Sequence, residues 1–145
     1  DQSQKEINNV LARVKLDFLQ FHGKESSKFC QSFSLPYIKA FGLGKDQSVK
    51  QLAQQMAKYQ AKYFLLDRPR QGQGQILDFK KVSILAKKFP IILAGGLNPE
   101  NILSAMAGAG SIVGVDVAGG VEIEGKKSFK KIKDFILLAK KFRRC

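Results

Sequence analysis

Five short apolar runs alternate with segments of helical spacing along the whole chain, and that rhythm leaves few folds open. The runs are 17–22 (Asp-Phe-Leu-Gln-Phe-His), 36–42 (Pro-Tyr-Ile-Lys-Ala-Phe-Gly), 63–67 (Tyr-Phe-Leu-Leu-Asp), 90–95 (Pro-Ile-Ile-Leu-Ala-Gly) and 112–118 (Ile-Val-Gly-Val-Asp-Val-Ala). Around them the spacing predicts helices. One covers 4–15, with Ile7, Val10, Leu11 and Val14 on one face, and a short one covers 25–33. A third is N-capped by Asp46, with Val49, Leu52, Ala53, Met56 and Ala57 inward, and a fourth runs from about Asp78 to Lys88. A fifth opens at the Asn98-Pro99 pair and runs to about Ala107, and a last one is capped by Ser128, with Phe129, Ile132, Phe135, Ile136 and Ala139 inward. Strands apolar on both faces and separated by helices form a parallel sheet covered by helices. Five units in 145 residues give about 29 residues each, close to the roughly 30 of a β/α module. An eight-unit barrel at that rate needs well over ~200 residues. The chain is therefore expected to be one α/β domain over residues 1–145: an open five-stranded parallel sheet, or the C-terminal part of a barrel whose first units are absent. It begins at Asp1 rather than Met, as a processed or upstream-truncated chain would.

Charge narrows the partners. The chain carries 25 Lys+Arg against 12 Asp+Glu, a formal +13, which raises nucleic acid as a partner. The cations recur in small groups, however, such as Lys80-Lys81, Lys87-Lys88, Lys130-Lys131 and Lys140-Lys141. Most fall on the polar positions of amphipathic helices, where they read as a solvated face. A nucleic-acid surface is thus disfavoured, and attraction of an anionic, phosphorylated small molecule is the milder functional reading. No run approaches the roughly 18 apolar residues of a membrane span. Two cysteines, Cys30 in a helical pattern and Cys145 at the end, suit a reduced, cytoplasmic setting. One histidine and two distant cysteines make no zinc-ligand pattern, so no metal is expected. Cys30 has no nearby base and reads as a small buried hydrophobe.

In a parallel β/α fold the ligand site lies at the C-terminal ends of the strands. Gln20 and His22, Lys39, Asp67, Gly95-Gly96, and Asp116 with Gly119-Gly120 stand at those ends. Each glycine pair alone reads as a tight turn. Two of them, after the last two strands, match the usual place of a phosphate site, where backbone N–H groups close on an anion. Asp67 ends an apolar strand, and a carboxyl group there serves either as a general acid or as a cap or ion-pair partner of the loop that follows. His22, taken alone, reads as a hydrogen-bonded structural residue.

Four strings add something more specific. Phe18-Leu19-Gln20-Phe21-His22-Gly23-Lys24-Glu25 resembles the Q-L-H-G-x-E signature of the phosphoribosylanthranilate isomerase family. Phe64-Leu65-Leu66-Asp67 and Gln71-Gly72-Gln73-Gly74-Gln75-Ile76-Leu77-Asp78-Phe79 resemble its L-L-D and G-G-x-G-K-x-F-D-W strings. Leu93-Ala94-Gly95-Gly96-Leu97-Asn98-Pro99-Glu100-Asn101 resembles its L-x-G-G-L-N-P-E-N. Gly114-Val115-Asp116-Val117-Ala118-Gly119-Gly120-Val121-Glu122, with Gly125-Lys126-Lys127, resembles its V-D-V-S-S-G-V-E and P-G-K-K-D. The resemblance implies a TIM (β/α)8 barrel of the tryptophan pathway. Such an enzyme opens N-(5′-phosphoribosyl)anthranilate to a 1-deoxyribulose phosphate by an Amadori rearrangement, with no cofactor. It implies that Asp67 is the general acid and that Gly95, Gly96, Gly119 and Gly120 bind phosphate. It also implies that Asp116 lines the substrate pocket and that His22 faces the site.

The departures carry expectations of their own. The family's base is a Cys in a C-G-I string on the first strand, and its carboxylate-binding arginine also lies upstream; neither string occurs in this chain. Gln71, Gln73 and Phe79 stand where the family has Gly, Thr or Ser, and Trp, and Ala118-Gly119 replaces Ser-Ser. Five strands cannot close a barrel, so open edges should favour self-association, and the 145 residues alone should isomerise weakly or not at all. Two alternatives stand beside this reading. One is a related phosphate-binding barrel such as indole-glycerol-phosphate synthase, which needs catalytic Lys and Glu and finds only Lys39. The other is a non-enzymatic basic module for nucleic acid or a complementing subunit.

Overall fold

The computed structural model describes residues 1–68 and 77–142. Five strands, β1 (Leu19–Phe21), β2 (Tyr37–Gly42), β3 (Tyr63–Asp67), β4 (Ile91–Leu93) and β5 (Gly114–Val115), form one sheet in sequence order, every neighbour pair parallel. Helices α1 (Gln4–Leu11), α2 (Ser27–Cys30), α3 (Val49–Met56), α4 (Phe79–Ala86), α5 (Ile102–Ala109) and α6 (Phe129–Phe142) alternate with them. A two-residue hairpin, β6 (Glu122–Ile123) with β7 (Lys126–Lys127), stands before α6. The alternation expected from the sequence is thus present as an open parallel sheet. Among the described residues no helix is long and apolar enough to cross a membrane.

Strand parity divides the side chains. Phe64 and Leu66 of β3 and Ile91 and Leu93 of β4 enter the main core, beneath Leu52, Met56, Val82, Leu85, Ile102 and Ala105 of the helices. The opposite face carries a small separate cluster, Ala40, Leu65 and Ala94, flanked by Ile38 and Ile92. Each fully buried Leu or Ile in the helix layer contributes about 1.5–3 kcal/mol relative to exposure, so the helical side holds the fold together. A third cluster under α1 and α2 packs Phe21, Cys30, Phe33 and Tyr37 with edge-on ring contacts.

Several element ends move from their expected places. The first helix stops at Leu11 instead of residue 15, although it starts with a full capping box: Glu6 N–H donates to Ser3 Oγ, and Ser3 N–H to Glu6 Oε2. α3 is capped by Ser48, whose Oγ accepts from Gln51 N, rather than by Asp46. Asp46 instead sits in the tight turn closed by Gln47 on Gly44. α4 begins as expected, with Asp78 accepting from Lys80 N and Lys81 N. At Asn98-Pro99 the chain makes one turn before α5 begins at Ile102. Asn98 Oδ1 accepts from Asn101 N and Asn101 Oδ1 accepts from Asn98 N, so the asparagine closes this turn. In α6, Phe135 is buried and Ile132 and Ala139 pack on the core, but Phe129 and Ile136 face outward, Phe129 at 82% exposure. The loop substitutions at Gln71 and Gln73, like the terminal Cys145, lie outside the described residues.

The buried charge is Lys39, 2% exposed on the helix-facing side of β2. Its ammonium donates to the carbonyls of Phe21 and Gly23 at 3.3 and 2.8 Å and pairs with Glu25 at 3.2 Å. Burial opposes ionisation of Glu25. Backbone hydrogen bonds, with the Lys39 bond and charge, outweigh it and hold that carboxyl below its ordinary 4.5. A carboxyl with a depressed folded pKa contributes stability above its unfolded value and loses it as pH falls through the folded value. Stability is therefore expected to decline as pH drops below about 4.5. Lys39→Met, which strands the Glu25 charge, should cost about 3–5 kcal/mol at neutral pH in denaturant unfolding, with part of that loss recovered in acid.

Candidate functional site

Parallel pairing sets the tips of β3, β4 and β5 side by side: Leu66 lies opposite Leu93, and Leu93 opposite Val115. The ladder continues past the strands, with Ala94 N–H donating to Leu66 O and Asp116 N–H to Leu93 O. A cavity of about 440 Å³ opens over these tips, lined by Asp67, Arg68, Gly95, Gly96, Asp116 and the Ala118–Gly120 turn, among others.

Asp67 reaches the cavity because it shares strand parity with Leu65, on the face away from the helices. Its Oδ1 accepts from Arg68 N at 2.6 Å. Its Oδ2 lies 3.9 Å from His22 Nε2, across the sheet. A β-carbon on Gly95 would come within 2.8 Å of Asp67 Oδ1, so the carboxylate looks onto the first glycine turn. Gly95 and Gly96 both hold positive φ, +88° and +79°, a conformation open to glycine at little cost. Asn101 fixes this turn from behind, donating from Nδ2 to Gly96 O at 3.0 Å.

The second glycine pair forms a short 3-10 turn, Gly119–Val121. Gly120 is required by close approach, because a β-carbon there would collide with the carbonyl of Leu97. That contact brings the second glycine turn against the first. Lys127, from the hairpin strand β7, secures the turn by donating to Ala118 O at 2.8 Å and pairing with Glu122 at 2.7 Å.

Of the residues named from sequence, Asp67, Gly95, Gly96, Asp116, Gly119 and Gly120 line one cavity; His22 lies 3.9 Å from Asp67 but lines a separate cavity with Gln20 and Glu25. Lys39 is not among them. Opposite parity turns it into the helix layer, committed to carbonyls and Glu25, which removes the one lysine that favoured an indole-glycerol-phosphate synthase reading. Cys30 is fully buried, and desolvation raises its thiol pKa, as befits an inert packing residue. Three further participants come from the structure: Arg68 in the cavity wall, which the sequence offered only as an ion-pair partner of Asp67, and Asn101 and Lys127 behind the two turns, present in the family strings without a role of their own. The Asn98/Asn101 spacing of the L-N-P-E-N string held the signal for the second. Among the described residues, no three His, Cys, Asp or Glu side chains are placed to hold a metal.

Comparison with known proteins bears on the same residues. The family described as N-(5'phosphoribosyl)anthranilate (PRA) isomerase matches residues 1–137. The N-(5'-phosphoribosyl)anthranilate isomerase of Desulforudis audaxviator is 41% identical over 145 residues, covering 97% of this chain and 69% of that protein. The phosphoribosyl anthranilate isomerase structure from Thermotoga maritima superposes with TM-score 0.80 at 31% identity, over 94% of this chain and 68% of that one. Another, solved in complex with reduced 1-(o-carboxyphenylamino)-1-deoxyribulose 5-phosphate, gives TM-score 0.76 at 30% identity, over 94% of this chain and 66% of that chain. The chain spans about two thirds of the length of its relatives, as little as 62% for the one from Cellvibrio japonicus.

The packing of the two turns is directly testable. Gly120→Ala is expected to destabilise the fold by about 1–3 kcal/mol, because the new methyl meets backbone. Gly114→Ala, whose β-carbon has an ordinary 3.7 Å contact with Ile92, should stay within about 1 kcal/mol of the parent. Urea midpoints measured side by side separate the two.

Proposed function

The chain belongs to the N-(5'-phosphoribosyl)anthranilate (PRA) isomerase family, and we propose that its cavity is the acid and phosphate part of that enzyme's site, acting in tryptophan biosynthesis. The observation that carries this reading is the juxtaposition of the Asp67 carboxyl with two interlocked glycine turns in one cavity.

The chemistry follows from the substrate. Asp67 delivers a proton to the ribose ring oxygen, the C1′–O bond breaks, and the anthranilate nitrogen lone pair forms the C1′=N iminium. A base then removes the C2′ proton, and its electron pair neutralises the iminium as an enolamine. Tautomerisation gives the 1-amino-1-deoxyketose, an isomer of the starting material, so no oxidant, reductant or cofactor is consumed. Backbone N–H groups of the Gly95-Gly96 and Gly119-Gly120 turns hold the phosphate, which anchors the far end of the sugar while the ring opens. Asp116 lines the pocket beneath it, and His22, 3.9 Å from Asp67, borders the acid.

The base is the part these 145 residues do not carry. The family's C-G-I string is absent from the sequence, and Cys30 is buried in the helix layer. In this reading the base and the carboxylate-binding arginine come from complementing β/α units, which would also cover the open edges of β1 and β5. Without them the edges are expected to drive self-association. The ligand is a phosphorylated small molecule, the solvated lysine faces are not a nucleic-acid surface, and the setting is cytoplasmic.

The test is reconstitution. The chain alone should turn over N-(5′-phosphoribosyl)anthranilate weakly or not at all, followed by loss of substrate fluorescence. Joining the first three β/α units of a relative should raise the rate. In the joined protein Asp67→Asn should lower kcat by about 10²–10⁴. A joined protein in which Asp67→Asn is as active as the parent would refute Asp67 as the acid.

A further inference from the structure

The cavity wall contains a charge that neither the sequence strings nor the chemistry above uses. The Arg68 side chain lies across the first glycine turn: a β-carbon at Gly96 would stand 2.5–2.8 Å from both terminal nitrogens and the central carbon of its guanidinium. The Nε atom is buried with no hydrogen-bond partner. Among the described residues Arg68 forms no ion pair, although Asp67, Asp116 and Glu122 line the same cavity. Glu122 is instead paired with Lys127.

Those facts are hard to reconcile with a packing role. Arginine is always charged and carries five donors in a fixed fork. Burying one of them unpartnered is unfavourable unless something accepts from it. Electrostatics points the same way. Three carboxylates and one guanidinium are the charged groups lining the cavity, and Lys127 is already paired with one of the carboxylates, Glu122, so Arg68 is the lining cation left to meet a phosphate dianion. Backbone N–H groups donate hydrogen bonds but bring no net charge.

We propose that Arg68 is the cationic ligand of the phosphoryl group, its guanidinium completing the cradle that the Gly95-Gly96 turn begins. This rests on the reading of the glycine turns as a phosphate site and adds the residue that sets the site's charge. Because the fork matches phosphate oxygens in a plane, the role is specific to arginine. Lysine restores charge without the fork.

Inorganic phosphate is the probe. Titrated into the 15N-labelled chain, it should shift the amide signals of Gly95, Gly96, Gly119 and Gly120 saturably. Arg68→Gln should weaken that binding about tenfold or more, and Arg68→Lys should recover part of the loss. Signals remote from the cavity report whether each variant is folded. A second measurement needs no variant: phosphate should protect Arg68, but not the exposed Arg13, from phenylglyoxal, read by peptide mass mapping. Unchanged affinity in a folded Arg68→Gln, or glycine shifts without protection of Arg68, overturns the role of Arg68 and leaves the glycine site standing. An absence of saturable shifts in the parent overturns both.

Discussion

The parallel register of β3 with β4 decides which face of the sheet Asp67 presents to the cavity. Side chains alternate between the two faces of a strand, so a slip of one residue would exchange them wholesale. In the register observed, Leu66 opposite Leu93, the apolar residues Phe64, Leu66, Ile91 and Leu93 all enter the helix layer. Leu65 and Asp67 are thereby sent to the other face. The slipped alternative would bury the Asp67 carboxylate among leucines, at a desolvation cost no local contact offsets. The hydrophobic core and the placement of Asp67 are therefore one constraint: burying Leu66 of the L-L-D string against the helices presents the following aspartate on the other face.

The same rule explains why Lys39, within β2, and Arg68, just past the tip of β3, sit in unrelated surroundings. Lys39 follows Ile38, which flanks the inner cluster, and so Lys39 falls on the helix side. There it is dehydrated and survives because two carbonyls and Glu25 surround its ammonium. It ties β2 to the start of α2 rather than meeting a ligand. Arg68 stands one residue past the end of β3, where the backbone leaves the sheet and parity no longer binds it. Its side chain can fold back over the glycine turn. The large surplus of lysine bears on neither case. Those cations ride on solvated helix faces, while the charges that line the cavity are three carboxylates and one guanidinium.

How far the sequence was legible follows from the range of the forces involved. The sheet and its order were readable because the apolar runs and helical spacings are local and repeat. Asp78 was readable as a cap because its carboxylate competes for the nearest N–H groups without a rival. Asp46 was not, because Gln47 and Gly44 close a turn there and the next capping oxygen, Ser48, takes the helix. Phe129 and Ile136 were misplaced because a broad apolar stripe on α6 exceeds the width of the core it meets. At the site, the acid and both glycine turns sit in short strings with fixed spacing. The contact between Leu97 and Gly120 and the reach of Lys127 to Ala118 join segments distant along the chain. Arg68 was hidden for another reason: it stands where no string of the resemblance calls for a charge.

The division of the chemistry over the sheet has a physical logic. Asp67 and the two glycine turns are drawn from the ends of three consecutive strands, β3 to β5, whose mutual positions are set by the main helical core. In the proposed reading, the spacing of proton donor and phosphate anchor is therefore set by the packing of these strands and does not depend on closing a barrel. A base, in that reading, approaches C2′ from the face of the sugar that these strand tips do not occupy. The inner face of the sheet itself carries the small apolar patch of Ala40, Leu65 and Ala94, with Ile38 and Ile92 beside it, and this patch contains no ionisable group to serve as that base. The phosphate anchor and the proton donor of the proposed reading thus share one set of strand tips, and the base is asked for elsewhere.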